Sequence, residues 1–92
     1  MEDKIVVMSF GTALEQAKRG CRISRLGWNG KGQYVFLAKD IEFRTDADLS
    51  ALQKSGVEVH DALAIKTTAG VIQVGWLASQ SDMLAEDWVA VG

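Results

Sequence analysis

Trp76-Leu77-Ala78-Ser79-Gln80-Ser81-Asp82-Met83-Leu84-Ala85-Glu86-Asp87-Trp88 is the segment that sets the plan of this chain. Ser79 followed three residues later by Asp82 is a capping-box pattern, in which each side chain satisfies a backbone N–H at the start of a helix. Ala78, Met83, Leu84 and Ala85 suit a short helix beginning there. The order expected is strand, helix, strand. Such a geometry aims free N–H groups, the positive end of a helix dipole and large aromatic surfaces at one place. Trp76 and Trp88 each read either as core anchors or as stacking surfaces, and the flanking sequence has to decide.

Working outward, Trp88 to Val91 supplies a last short strand. Leu63 to Thr67 and Val71 to Trp76 form a hairpin around Thr68, Ala69 and Gly70. At the other end of the chain, Ile5, Val6 and Val7 form an apolar lead, either an edge strand or a loose arm. Ser9 is a good N-cap for a helix running to Arg19, because Phe10, Ala13, Leu14 and Ala17 repeat on one face and Glu15 precedes Arg19 by four. Gly20 stops it. Cys21 to Leu26 shifts towards a period of two, with Cys21, Ile23 and Arg25 on one side, and reads as a strand that pairs with Tyr34 to Ala38. Between them lies Gly27-Trp28-Asn29-Gly30-Lys31-Gly32, a tight turn that carries a tryptophan and an Asn-Gly hairpin signal. It lacks the spacing of a phosphate-binding Walker loop, and Gly32 stands where serine or threonine would follow the lysine.

Asp40 to Asp61 is the least legible part. Ile41 and Phe43 extend the preceding strand, and Asp46 caps a short helix with Leu49 and Leu52 that ends at Gly56. The expected fold is one α+β domain over residues 1–92: an antiparallel sheet of four to five strands built from two hairpins, an N-terminal helix and a short C-terminal helix. So few helices leave one sheet face bare, which makes a homo-oligomer a physical expectation.

Composition narrows the function classes. A formal net charge of −2 argues against binding by a broad basic field, so neither a polynucleotide nor an anionic membrane is an expected partner. The single cysteine, Cys21, excludes an internal disulfide and any cysteine-pair zinc site, and suits a reducing compartment. Ile5 to Met8 is too short for a signal peptide, and no run approaches the ~20 apolar residues of a membrane span. Three tryptophans, three phenylalanines and a tyrosine are a large aromatic supply for 92 residues, and some are expected to face a ligand.

For chemistry, an enzyme reading would lean on Asp82, Glu86 and Asp87 as paired carboxylates for acid-base work, with Asp82 and Glu86 sharing a helix face. Acidic residues early in a helix are equally what the dipole favours. His60 stands alone and reads as a surface or strand-end residue. No nucleophile set and no metal-ligand cluster is recognisable, so no catalytic residue, metal or cofactor is expected. A binding reading has better parts. Trp28 and Trp76 offer flat faces to a base, Arg25 and Lys31 offer charge to phosphate, Ser79 and Gln80 add hydrogen bonds, and Asn29 or Asp82 can read a base edge or ribose hydroxyls. On this reading, Trp28→Ala or Arg25→Ala lowers affinity and leaves the melting curve near wild type.

The run from Trp76 to Trp88, the turn from Gly27 to Gly32 and the opening Ser9, Phe10, Gly11, Ala13 and Leu14 resemble the second Thoeris anti-defence family of small phage and prophage proteins. The match covers nearly the whole chain in the same order, apart from the middle segment. The resemblance implies a non-enzymatic sponge acting in the cytoplasm of the infected bacterial host. Its ligand would be the cyclic nucleotide signal made by a Thoeris TIR protein, glycocyclic ADP-ribose, and in some members CBASS cyclic oligonucleotides. It also implies a homotetramer, a dimer of dimers, with pockets between subunits, so that the Trp28 turn of one subunit is expected beside the Trp76 region of another. Two departures stand out. Gly75 occupies the place where proline commonly precedes the tryptophan, which is expected to loosen that strand end, and the segment from Asp40 to Asp61 matches poorly. A protein-binding adaptor and a hydrolase of nucleotide signals using Asp82 or Asp87 are the alternatives.

Overall fold

A computed structural model describes residues 5–28, 31–39, 56 and 60–91. The expectations for the middle segment, a strand extension at Ile41 and Phe43 and a helix with Leu49 and Leu52, lie outside the described residues, as does Asn29. The elements are α1 (Phe10–Lys18), β1 (Arg22–Arg25), β2 (Tyr34–Ala38), β3 (Ala62–Lys66), β4 (Ile72–Val74), α2 (Gln80–Leu84) and β5 (Trp88–Val91). The strands form one antiparallel sheet in the order β4-β3-β2-β1-β5. The α+β class, both hairpins and both expected helices are therefore present. The C-terminal strand, reached through α2, pairs with β1 and brings the two ends of the chain together.

Helix α1 begins where Ser9 accepts the Thr12 N–H on its hydroxyl, at 3.2 Å. It ends in a Schellman arrangement: the Gly20 N–H bonds the Ala17 carbonyl and the Cys21 N–H bonds the Gln16 carbonyl, both at 3.0 Å. Gly20, at φ +98°, takes the left-handed conformation this ending requires. The expected i,i+4 pairing of Glu15 with Arg19 is replaced by an i,i+3 pair with Lys18 at 3.2 Å, because Arg19 is already the C-cap. Cys21 is half-buried, its Sγ 3.7 Å from Gln16 Oε1.

Ala13 and Ala17, both fully buried, let α1 lie close against the sheet face formed by Ile23, Val35 and Trp88. The register explains the grouping. Ile23 stands opposite Val35 and Ala90, Val35 opposite Ile65, and Arg25 opposite Trp88, so these side chains share one face. Met8, Phe10, Trp28, Leu63, Ile65, Trp76 and Ala85 pack around this core. The apolar lead of Ile5, Val6 and Val7 forms no strand, and Met8 after it joins the sheet, exchanging N–H···O bonds of 2.8 and 3.1 Å with Trp88. The opposite face carries Tyr34 with Arg22 and Lys66 at 5.0 and 5.5 Å from its ring centre, beside the exposed Ile72 and Val74.

One local feature decides where Trp76 points. β4 stops at Val74, and the N–H groups of both Gly75 and Trp76 donate to the single carbonyl of Leu63, at 2.8 and 2.9 Å. Two residues thus face one, which is a β-bulge, and Gly75 takes φ +93° to make it. Without the extra residue the alternation would send Trp76 to the face of Val74; with it, Trp76 packs on the α1 face. The expectation that Gly75 loosens this strand end is corrected, because its N–H is bonded and its conformation is one that proline, lacking the N–H and fixed near −65°, cannot supply.

Two stability predictions follow from this packing. Trp88→Ala empties the largest fully buried position and is expected to cost about 3–5 kcal/mol in denaturant unfolding. Gly75→Ala keeps the N–H but forces a side chain into the left-handed region, with an expected loss of about 1–2 kcal/mol.

Candidate functional site

At one end of the sheet the three tryptophans meet. Trp88 is fully buried and Trp28 and Trp76 are half-buried against it. Ring centroids lie 5.3 Å apart for Trp28 and Trp88, 6.2 Å for Trp76 and Trp88 and 6.3 Å for Trp28 and Trp76, with interplanar angles of 76°, 74° and 72°. Each pair is edge-to-face, the arrangement that sets the positive rim of one ring against the negative face of the next. Phe10 closes the cluster from α1, 5.2 Å from Trp88 and 6.3 Å from Trp76. Trp28 and Trp76 of a single chain are therefore neighbours. The β1–β5 pairing and the Gly75 bulge bring them together within one molecule, so this contact needs no second subunit.

Beside the cluster Arg25 is held by two carboxylates. Its Nε donates to Asp87 Oδ1 at 2.8 Å and its Nη1 to Asp82 Oδ1 at 2.9 Å. The side chains of Arg25, Asp82 and Asp87 are 19%, 14% and 30% exposed, so the pairs are sheltered without being dry. The second oxygen of Asp87 accepts the Gly27 N–H at 2.7 Å. A Cβ on residue 27 would stand 2.8 Å from that oxygen, which is why the turn has glycine there. The carboxylate of Asp82 also accepts the indole N–H of Trp28 at 3.1 Å, and its backbone carbonyl accepts that of Trp88 at 2.8 Å. The Trp28 turn, β1, α2 and β5 are thereby tied to one group of charges.

Ser79 and Asp82 form the capping box read from the sequence: the Ser79 hydroxyl accepts the Asp82 N–H and the Asp82 carboxylate accepts the Ser79 N–H, at 3.1 and 3.3 Å. Ser79, Gln80 and Lys31 are exposed. Thus Arg25, Trp28, Trp76, Ser79 and Asp82 come together as expected residues of one region. Lys31 lies on the same turn without a bond to the cluster among the described residues. The expectation that Asp82 and Glu86 share a helix face is corrected: α2 ends at Leu84, Ala85 is extended at ψ 147°, and Glu86 lies beyond it. The partner of Asp82 is instead Asp87, across Arg25. Sequence reasoning placed Asp87 only among possible acids and bases, and missed Gly27 as its donor.

Charge states follow from these contacts. Burial pushes the Asp82 carboxyl up, but the bonds from Arg25, Trp28 and Ser79 together outweigh it and hold the group below its ordinary value. The Asp87 carboxyl is lowered chiefly by Arg25 and further by the Gly27 N–H, against a smaller opposing effect of burial. Arg25 is raised above its ordinary value, mainly by Asp87 and then by Asp82. Both carboxylates are thus ionised at neutral pH and already committed to one cation. Neither is poised as a proton donor.

The sequence profile of the Thoeris anti-defense 2-like domain matches residues 8–91. The chain belongs to this family. It is also 39% identical over 82 residues to "Thoeris anti-defense 2" of Bacillus phage SP01, a match covering 88% of this chain and 91% of the phage protein. Family membership supports a phage anti-defence role for the chain. The matched span takes in every element that builds the tryptophan cluster, from Met8 to Val91. No helix among the described residues is long and apolar enough to cross a membrane.

The ion-pair group also changes one expectation about substitutions. Arg25→Ala leaves two sheltered carboxylates facing each other, so it is expected to lower stability by about 2–4 kcal/mol, between the cost of breaking a surface pair and a buried one, with a clear fall in Tm. Because the carboxyls of Asp82 and Asp87 are lowered on folding, their contribution is present above about pH 4 and is lost as pH falls through the lowered values. Acid titration followed by circular dichroism is expected to show stability falling below about pH 4, with a shallower fall in Asp87→Asn.

Proposed function

We propose that this protein is a sponge that captures a cyclic ADP-ribose-type immune signal, glycocyclic ADP-ribose, and releases it unaltered on denaturation, so that the Thoeris effector is never activated. The observation that carries the reading is the corner made by Trp28 and Trp76. Two half-buried indoles stand nearly perpendicular, at 72°, packed on a third that is fully buried. A purine stacked on one ring meets the other edge-on, and stacking of this kind is worth about 1–3 kcal/mol per base. Lys31 on the turn, and Ser79 and Gln80 at the start of α2, are the polar groups proposed to meet the diphosphate, with Asn29 proposed at a base edge. Arg25, whose charge is outweighed by its two ionised carboxylate partners, is proposed to serve the corner by holding Asp82 and Asp87 and not as a phosphate cation. CBASS cyclic oligonucleotides share the base-plus-phosphate chemistry and are proposed as further ligands.

The non-enzymatic reading draws support from the site's electrostatics. A sponge needs slow release and no turnover, and nanomolar affinity corresponds to about 12 kcal/mol of binding free energy. Asp82 and Asp87, the carboxylates a hydrolase would use, are ionised and so not proton donors, and their pairing with Arg25 weakens them as bases.

A homo-oligomer, a tetramer built as a dimer of dimers, is part of the same proposal. Ile5, Val6 and Leu26 are exposed around an apolar groove of about 510 Å³ against β5. At the far side of α2, Leu77 and Leu84 are 90% and 76% exposed. Apolar groups gathered in this way are what protein interfaces cover. The setting proposed is the cytoplasm of the infected bacterial host, where the signal is made.

Calorimetric titration with glycocyclic ADP-ribose, beside cyclic di- and trinucleotides, followed by heat release and mass analysis, tests the reading. Tight binding with the intact ligand recovered is expected, and Trp28→Ala and Trp76→Ala are each expected to weaken it by about 1–3 kcal/mol. Recovery of a cleaved ligand would establish a hydrolase instead. Absence of binding to every ligand would turn attention to an adaptor role.

A further inference from the structure

We propose that Asp82 is the positioning residue of the tryptophan corner, acting on the ligand through Trp28 and not by contact. This deepens the sponge reading and rests on it for the ligand half of the claim. Asp82 is where the bonds of the region converge. One carboxylate oxygen takes both the Trp28 indole N–H, at 3.1 Å, and Arg25 Nη1, at 2.9 Å, while the other takes the Ser79 N–H, at 3.3 Å. Its backbone carbonyl takes the Trp88 indole N–H at 2.8 Å. Three of its bonds therefore end on its carboxylate, which is only 14% exposed and has little capacity left for a ribose hydroxyl or a base edge.

The geometry explains how one side chain sets the corner. A tryptophan on a glycine-rich turn has two side-chain torsions to fix. Packing on Trp88 restrains the ring plane, and a directional bond from the indole N–H restrains rotation within that plane. Asp82 is itself bonded in the helix cap it forms with Ser79 and to Arg25, so Trp28 is anchored to a group with several restraints of its own. Asp87 holds the same turn through the Gly27 N–H. The two carboxylates divide the work: Asp87 places the turn, and Asp82 orients the ring that the turn carries.

The test uses the indole N–H resonances of the full chain, with Trp28→Phe assigning the Trp28 signal. In Asp82→Ala the Trp28 resonance is expected to move upfield and exchange faster, while that of Trp88, bonded to a backbone carbonyl, stays in place. Asp82→Asn keeps the shape and an acceptor, and serves if the alanine variant does not fold; its neutral bond is expected to shift the same signal in the same direction by less. Asp87→Asn, which also loses an Arg25 contact, is expected to lower Tm and leave the Trp28 resonance near wild type. Affinity for glycocyclic ADP-ribose should fall about tenfold in Asp82→Ala, yet change little when the same substitution is made in Trp28→Phe.

A Trp28 signal unmoved in both Asp82 variants would overturn the proposal. So would an equal affinity loss with and without Trp28, which would make Asp82 a direct ligand contact. If the wild-type protein binds no glycocyclic ADP-ribose, the sponge reading fails, and the orienting role is still decided by the indole resonances.

Discussion

One guanidinium joins the two ends of this chain. Arg25, at the close of β1, is bonded to Asp82 and Asp87, which follow it by 57 and 62 residues, and through them to α2 and to the approach to β5. One cation and two carboxylates would each be costly to shelter alone, and together with hydrogen bonds on the remaining oxygens they are tolerated and directional. The rest of the tryptophan end depends on this group. Gly27 hangs from Asp87, Trp28 from Asp82, and Trp88 donates to the backbone of Asp82. Ala13 and Ala17 of α1 contribute to the apolar core, and the bonds to Asp82 and Asp87 tie the turn beside it.

The arrangement separates two tasks that a small domain has difficulty combining. Trp88, with Ile23, Val35 and two alanines of α1, is the fully buried core. Trp28 and Trp76 pack on that core and are only half-buried, so aromatic surface is displayed on a fully buried base. A rigid display lowers the ordering cost that binding would otherwise carry. Committed carboxylates beside it favour holding over cutting. The sponge role proposed above needs the first property and has no use for the second.

Much of the fold was legible because the local signals are strong. Ser9 and Ser79 announce their helices, Gly20 ends the first, and the apolar repeat of Phe10, Ala13, Leu14 and Ala17 names the buried face. The hairpin around Thr68 to Gly70 is likewise a turn signal between two apolar runs. Long-range pairing was not legible. Nothing in Arg25 or Trp88 declares that they stand opposite one another, and without that register Arg25 reads as a phosphate ligand when its first partners are Asp82 and Asp87. The bulge was hidden for a similar reason. A glycine before a tryptophan looks like a loose end until Leu63 is seen to accept from both residues. Glu86 was drawn into the helix by composition, whereas the extended Ala85 ends α2 so that Asp87 can reach back to β1.

The central proposal is that Trp28 and Trp76 of one chain form a corner, fixed in advance by Arg25, Asp82 and Asp87, that captures a nucleotide signal intact. A crystal structure of the protein grown with glycocyclic ADP-ribose tests it most directly. Expected is an uncleaved ligand with its base against Trp28 and Trp76, and the Arg25 bonds to both carboxylates unchanged. A ligand seated away from both indoles, or one that draws Arg25 off Asp82 and Asp87 to its phosphates, would contradict it.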